Sequence, residues 1–437
     1  MSRVFVRYKP GHKTEVAESL GISVNPAFLS IVDDAVSNDV YYDFKKLESF
    51  VVSVPASELE YLRSDPNVLS IEEDHPRFLV PTIENDSSDR GLSLVAPFEH
   101  VPYGVDMVEA RDIWDADRDG IVDSNAPTGA NRKICIIDTG FEATHEDLPG
   151  PGINVDGYNG NLPWNQDGHG HGTHVAGTIA AVSNSYGVVG VTPGTVQLYI
   201  VRVFGNDGKW TYSSDLIDAA NRCASAEANI ISMSLGGVGF SETEQAKFDE
   251  LNAQGILSIA AAGNNGFTSS YFYPASYSSV MSVAAVDSSK THAEFSNRNI
   301  QVDISAPGVG VLSTVSDSGY AYLDGTSMAA PHVSGVAALV WSAIPNLTNT
   351  EVRDALIATA EDLGTPGRDD MYGAGLVQAN KALTYLYDTP FPTLYPTSIE
   401  TPTDYPTAQT SEAPTTKPLT KKPTIKSKSS KLPKLPK

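Results

Sequence analysis

Between residues 100 and 387, two kinds of apolar stretch take turns along the chain. The short stretches at 133–138, 197–203, 230–234, 257–262 and 281–285 are almost continuously apolar and rich in β-branched residues. Runs of that length without alternation predict strands covered on both faces. The stretches at 213–226, 243–254 and 350–358 mix polar and apolar positions and read as helices. A further apolar run, Val333 to Trp341, is entered through a glycine-led turn. Strands alternating with helices predict an α/β fold with a doubly wound, mostly parallel sheet and one large core.

The flanking regions have other patterns. Residues 1–80 read as a small α+β unit, with strands at 4–6, 50–54 and 68–72 and helices at 14–20 and 56–63, the second capped at Pro55 or Ser57. Residues 81–99 read as a linker, a polar loop followed by a short apolar piece. From 388 to 437 Pro, Thr and Ser dominate, and Lys replaces the acids after Glu412. Too few apolar groups remain there to offset the entropy of ordering, so this segment is expected to be a disordered tail, stalk or linker.

Bulk properties narrow the partners. With 30 Lys+Arg against 53 Asp+Glu, the net charge of −23 argues against nucleic acid and anionic membranes. No apolar run reaches the length of a membrane span. The first seven residues carry charge but no apolar core of a secretion leader, so the protein is either intracellular or begins upstream of this chain. Two cysteines are present, Cys135 and Cys223. Sequence leaves their pairing open, and the position of Cys135 inside a buried strand favours a free buried thiol.

Three segments carry candidate chemistry. Asp138 ends the strand at 133–138, with Gly140 turning the chain; ligand crevices of open α/β sheets lie beyond such carboxyl ends. Alone, it reads as an aspartate starting a turn. Asp167-Gly168-His169-Gly170-His171-Gly172-Thr173-His174 brings three histidines to the start of a small-residue helix. Gly325-Thr326-Ser327-Met328-Ala329-Ala330-Pro331 puts a serine at a helix start, where free amides and the helix dipole favour developing negative charge. Alone, it reads as an N-cap.

Together the three segments give Asp138, His171 and Ser327 in that order, and with their flanking residues they resemble the subtilisin-like serine proteases (subtilases) over about residues 100–387. The resemblance implies a broad-specificity serine endopeptidase, monomeric, acting on polypeptides. Ser327 would be the nucleophile, His171 its base, Asp138 the orienting carboxylate and Asn264 an oxyanion donor. Ser234, Leu235 and Gly236 match the strand that pairs with substrate, and Ala262 and Gly263 the opposite wall of the primary pocket. Phe272 stands at the pocket base, where the family often has glycine. No acid occurs at Asn265 or Phe272, so a basic residue beside the cleaved bond is not expected.

Asp65-Pro66-Asn67-Val68 and Glu72-Glu73-Asp74 resemble the inhibitor I9-type propeptide of these proteases. That implies a folding aid and inhibitor whose segment 77–80 adds as a strand to the substrate groove, removed by self-cleavage between about 81 and 99. It also favours export, with Asn85 and Asn346 as glycosylation acceptors if the source is a eukaryote. A structural calcium ion is implied as cofactor, held by Asp147, the Asn184 side chain, the carbonyls of Val182, Tyr186 and Val188, and Glu99. From spacing alone, Asp115, Asp117, Asp119, Ile121 and Asp123, with Gly120 at position six, follow an EF-hand-like loop, and a second calcium is expected there although Ala126 replaces the closing glutamate. Two rival readings stay open: a metallohydrolase using His169, His171 and His174, and a non-catalytic binding protein of the same fold.

Overall fold

The computed structural model describes residues 2–20, 40–82, 98–266 and 268–388. Most of the linker at 81–99, the acceptor Asn85 and the tail beyond 388 lie outside the described residues.

Seven parallel strands form the central sheet. Their spatial order is Ile304–Pro307, Val280–Val286, Leu257–Ala261, Ile230–Met233, Lys133–Asp138, Gln197–Arg202, Val155–Gly157. The chain enters at Lys133–Asp138, lays the edge strand Val155–Gly157, fills the gap with Gln197–Arg202, then crosses to Ile230–Met233 and builds outward to the other edge. The order therefore reverses between Lys133–Asp138 and Ile230–Met233, and a crevice opens beyond their carboxyl ends. Asp138 lies at the end of one strand and Ser234 just beyond the other.

Alternation along the strand Lys133–Asp138 divides the core. Ile134 and Ile136 pack on one face with the helices His171–Ala180 and Thr326–Ala343. Cys135 and Ile137 pack on the other with Ser213–Ser225 and Glu242–Ala253. The helix Ser213–Ser225 carries Cys223 over Cys135 with Cα atoms 5.5 Å apart, and the two form a disulfide. This corrects the expectation of a free thiol: burial of Cys135 is real, but the facing helix supplies a partner within bridging range.

Residues 2–20 and 40–73 form a four-stranded antiparallel sheet, in the order Val40–Phe44, Ser49–Val54, Ser2–Tyr8, Val68–Glu73, with helices Lys13–Ser19 and Ala56–Ser64. Phe5, Phe44 and Val51 pack against Ile217 of the helix Ser213–Ser225. Two carboxylates from this unit meet the N-termini of helices in the larger one. Asp74 accepts from Ser214 N (2.9 Å) and Ser214 Oγ (2.6 Å), and Glu72 accepts from Thr243 N (3.1 Å) and Ser241 Oγ (3.0 Å). Free amides at a helix start suit an acid from outside. Among the described residues, no helix is long and apolar enough to cross a membrane.

Candidate active site

Asp138 is buried at the end of its strand. Its Oδ1 accepts from Thr139 N (2.7 Å) and from His171 Nδ1 (2.8 Å). The chain then turns at Gly140, whose φ of +124° suits glycine and whose added Cβ would collide with Gln166 O. His171 opens its helix after Gly170 (φ +88°) and is buried. Burial disfavours its charged form, but the Asp138 carboxylate outweighs that and holds the imidazole above the ordinary histidine value. Its Nε2 makes no hydrogen bond.

Asp167 organises this corner. It accepts from Gly170 N (2.9 Å), Thr173 N (2.9 Å), Thr173 Oγ1 (2.7 Å) and Thr139 Oγ1 (2.9 Å), so one carboxylate ties the histidine helix to the residue after Asp138. His174 instead donates from Nε2 to Val311 O (3.0 Å), and burial pushes it down to about 3, so it stays neutral. Among the described residues, the only trio of such side chains with ligand atoms within 4.8 Å of one another is Asp115, Asp117 and Asp119. The cluster of His169, His171 and His174 therefore gives the metallohydrolase reading no geometric support.

Ser327 is the second residue of its helix and is buried. Its Oγ faces two carbonyls, Val80 O at 3.2 Å and Ser234 O at 3.3 Å, rather than the imidazole. Asn264 follows the strand Leu257–Ala261. Its Oδ1 accepts from Thr326 N (2.9 Å) and Thr326 Oγ1 (2.8 Å), which turns Nδ2 outward to donate to Pro81 O at 2.7 Å. Sequence reading did not single out Thr326 and noted Asp167 only as a neighbour of the histidine cluster, although both lie inside the motifs that carry Ser327 and His171.

Residues 76–81 run through the crevice as an extended strand. Pro76–Leu79 pairs antiparallel with Leu235–Gly236 on one side and Trp210–Tyr212 on the other, and Val80 N donates to Ser234 O (3.2 Å). Arg77, Leu79 and Val80 are buried, while Phe78 is 44% exposed. Phe272 lies against both pocket walls. A Cβ added to Gly236 would collide with its ring, and one on Gly263 would stand 3.0 Å from its Cδ1. Ala262 is buried beside Gly263, with its carbonyl held by Asn297 Nδ2 (2.8 Å).

Two acidic places could hold a cation. Asp147 is buried, accepts from Val188 N (2.7 Å) and Asn184 Nδ2 (2.8 Å), and is pushed up to about 7 by burial, with the Glu99 charge adding to the effect. Glu99 accepts from Asn184 N (2.6 Å) and Ser185 N (3.1 Å) of the same loop, 182–188. Two carboxylates reaching one loop are a donor set that fits a hard cation, while the Asn184 amide oxygen here accepts from Tyr186 N (3.1 Å). In the second place, Asp115 is tied to Arg111 Nε (2.6 Å), and Asp123 accepts from Ala116 N (2.8 Å), outside the trio Asp115, Asp117 and Asp119. Gly120 turns this loop at φ +84°, and the side chain of Ile121 is exposed.

An α/β protein with a carboxylate–imidazole pair, a helix-start serine and a strand-edged groove at one crevice has the make-up of a serine endopeptidase. The chain belongs to the subtilase family: that family's sequence profile matches residues 129–375. It is 42% identical over 287 residues to subtilisin DY of Bacillus licheniformis, covering 64% of this chain and 98% of the relative. It is 36% identical over 375 residues to a thermostable alkaline protease of Halalkalibacterium halodurans, covering 85% and 94%. Among solved structures, the psychrophilic subtilisin-like protease Apa1 of an Antarctic Pseudoalteromonas aligns at TM-score 0.60 and 33% identity, covering 67% of this chain and 99% of that one. Fervidolysin of Fervidobacterium pennivorans, a keratinolytic enzyme related to subtilisin, aligns at TM-score 0.71 and 26% identity, covering 90% and 61%. The chain is therefore a subtilisin-like serine endopeptidase that acts on polypeptides.

Proposed function

We propose that Asp138, His171 and Ser327 form the catalytic triad, and that residues 1–80 are the enzyme's own inhibitory propeptide. The observation that carries both is Ser327 Oγ against the Val80 carbonyl, beside a His171 whose Nδ1 is held by Asp138 and whose Nε2 is unengaged. Ser327 Oγ attacks the substrate carbonyl carbon while its proton passes to His171 Nε2. The C–N bond breaks as His171 returns that proton to the leaving amine. Water then repeats the sequence on the acyl-enzyme and restores the serine. Asn264 Nδ2 and the Ser327 amide are the oxyanion donors.

Segment 76–81 occupies the groove without meeting those demands. Asn264 holds the carbonyl of Pro81 rather than that of Val80, and the nitrogen following Val80 belongs to proline. This favours inhibition in place and a cut further along, within 81–99. Phe272 between the two glycine walls favours a small apolar residue at the cleaved bond, the place Val80 fills. Asp147, Asn184, Glu99 and the 182–188 loop carbonyls would hold a structural calcium ion, with Asp115, Asp117 and Asp119 as the core of a second site. The Cys135–Cys223 bridge supports export to an oxidising compartment, since such bonds persist there.

Intact mass of the expressed chain beside its Ser327→Ala form tests this reading. The wild type should lose its N-terminal unit by a cut within 81–99 and react with a serine-directed phosphonate. The variant should do neither, and its kcat should fall by about 10⁶. Equal processing of both would refute self-cleavage.

A further inference from the structure

The groove strand places an arginine where the pocket holds an acid. Arg77 is the fourth residue back from the Ser327 hydroxyl, counting Val80 as the first, and its side chain is fully buried. Its guanidinium meets Glu244 in a two-point pairing: Nε donates to Oε1 at 3.0 Å, and Nη2 to Oε2. Nη2 also donates to Gly239 O (2.9 Å) and Nη1 to Pro76 O (3.1 Å). Glu244 is itself fully buried, and Tyr277 OH donates to its Oε2 at 2.7 Å. The nearest cation on its own helix, Lys247, is turned to Glu250 instead.

We propose that Glu244 is a specificity-determining residue of the protease, selecting substrates with arginine four residues before the cleaved bond. The proposal rests on the reading of the groove given above. It goes beyond that reading by assigning a charged preference to a position that strand pairing leaves open. Three features argue that the pocket belongs to the enzyme and not to the propeptide alone. The acid sits on the first turn of Glu242–Ala253, on the enzyme side, with Ser241 Oγ accepting from its amide (3.1 Å). The arginine shaft runs past Gly237, where an added Cβ would stand 3.3 Å from Nη1. The guanidinium satisfies both carboxylate oxygens and a backbone carbonyl at once through a planar fork that a single ammonium matches less closely. A neutral residue there leaves a buried carboxylate without its counter-charge, which is the situation that gives strong discrimination.

The test uses the self-processed full chain and quenched peptides of the form X-Phe-Leu-Val-Ser, with X as arginine, lysine, citrulline or alanine. Citrulline keeps the shape of arginine and removes its charge. We expect kcat/KM for arginine to exceed that for alanine or citrulline by about 10²-fold, with lysine between. In Glu244→Gln the arginine-to-citrulline ratio should fall to within a few-fold of one, a change that general loosening of the fold would not produce. If that variant does not fold, the arginine-to-citrulline ratio of the wild type decides alone. Equal cleavage of all four peptides would overturn the role of Glu244 while leaving the protease reading intact. Cleavage of none would overturn both.

Discussion

Phe272 offers the sharpest test of how the groove selects its substrate. The ring fills the space between Gly236 and Gly263, so a large side chain beside the cleaved bond must displace it. Overpacking of that kind costs about 1–3 kcal/mol, which predicts wild-type kcat/KM for phenylalanine about 5–150-fold below that for valine. Phe272→Ala removes the ring, and burying a phenylalanine side chain in the opened space recovers about 1.5–3 kcal/mol. The two effects act in the same direction, so the phenylalanine-to-valine ratio should rise by at least about 10². Phe272 is only 6% exposed, and loss of a buried ring costs about 3–5 kcal/mol of stability, so unfolding must be measured beside the kinetics. The assay is kcat/KM on two peptides differing only at that residue, below the melting temperature of both proteins. A wild type that accepts phenylalanine as readily as valine, or a variant with an unchanged ratio, would refute the steric argument.

Two further outcomes follow from the same geometry. Asn264→Ala should lower kcat by about 10²–10³ with little change in KM, because its amide is spent on charge that develops after substrate binds; stopped-time peptide assays read this directly. For calcium, the sign comes from Asp147. Its pKa without the ion is raised to about 7, so on acidification through 7 the ion-free fold gains protons and stability while the carboxylate a cation needs disappears. Calcium affinity should be flat above pH 7 and fall about tenfold per unit below it. Thermal shift with and without calcium at pH 8 and pH 5.5 checks this, and an equal calcium increment at both would contradict it.

Much of the architecture was legible because the strands of a doubly wound sheet are covered on both faces. Lys133–Asp138 and Leu257–Ala261 announce themselves as apolar runs without any partner being known. Val40–Phe44 and Trp210–Tyr212 did not, since each is short and at an edge. Trp210–Tyr212 is a strand only because Pro76–Leu79 lies against it. The side chains proposed to react were legible as candidates because each sits in its own local motif. The Arg77–Glu244 pair was not, for its members lie 167 positions apart and neither stands in a motif. The disulfide failed for the same reason: burial is a property of one strand, but pairing depends on which helix packs over it.

The docking of the N-terminal unit carries a pH dependence of its own. Asp74 meets the start of the helix Ser213–Ser225 and the Arg3 guanidinium (2.7 Å), yet burial dominates and pushes it up to about 6. Once the unit departs, that carboxyl is exposed and returns toward the ordinary aspartate value near 3.8. The docked state thus holds the extra proton between these two values, so docking tightens as pH falls through 6 and is weakest above it. Glu72, which accepts from the start of the neighbouring helix, supplies a second anchor. After self-cleavage, with the serine blocked by a phosphonate to stop digestion, the N-terminal fragment should co-elute with the enzyme more completely at pH 5 than at pH 8. Asp74→Asn should flatten that difference, and Glu72→Ala should weaken co-elution at both. Firmer retention at pH 8 would show that the attraction of Asp74 for Arg3 and the helix outweighs its burial, and the sign argued from desolvation would be wrong.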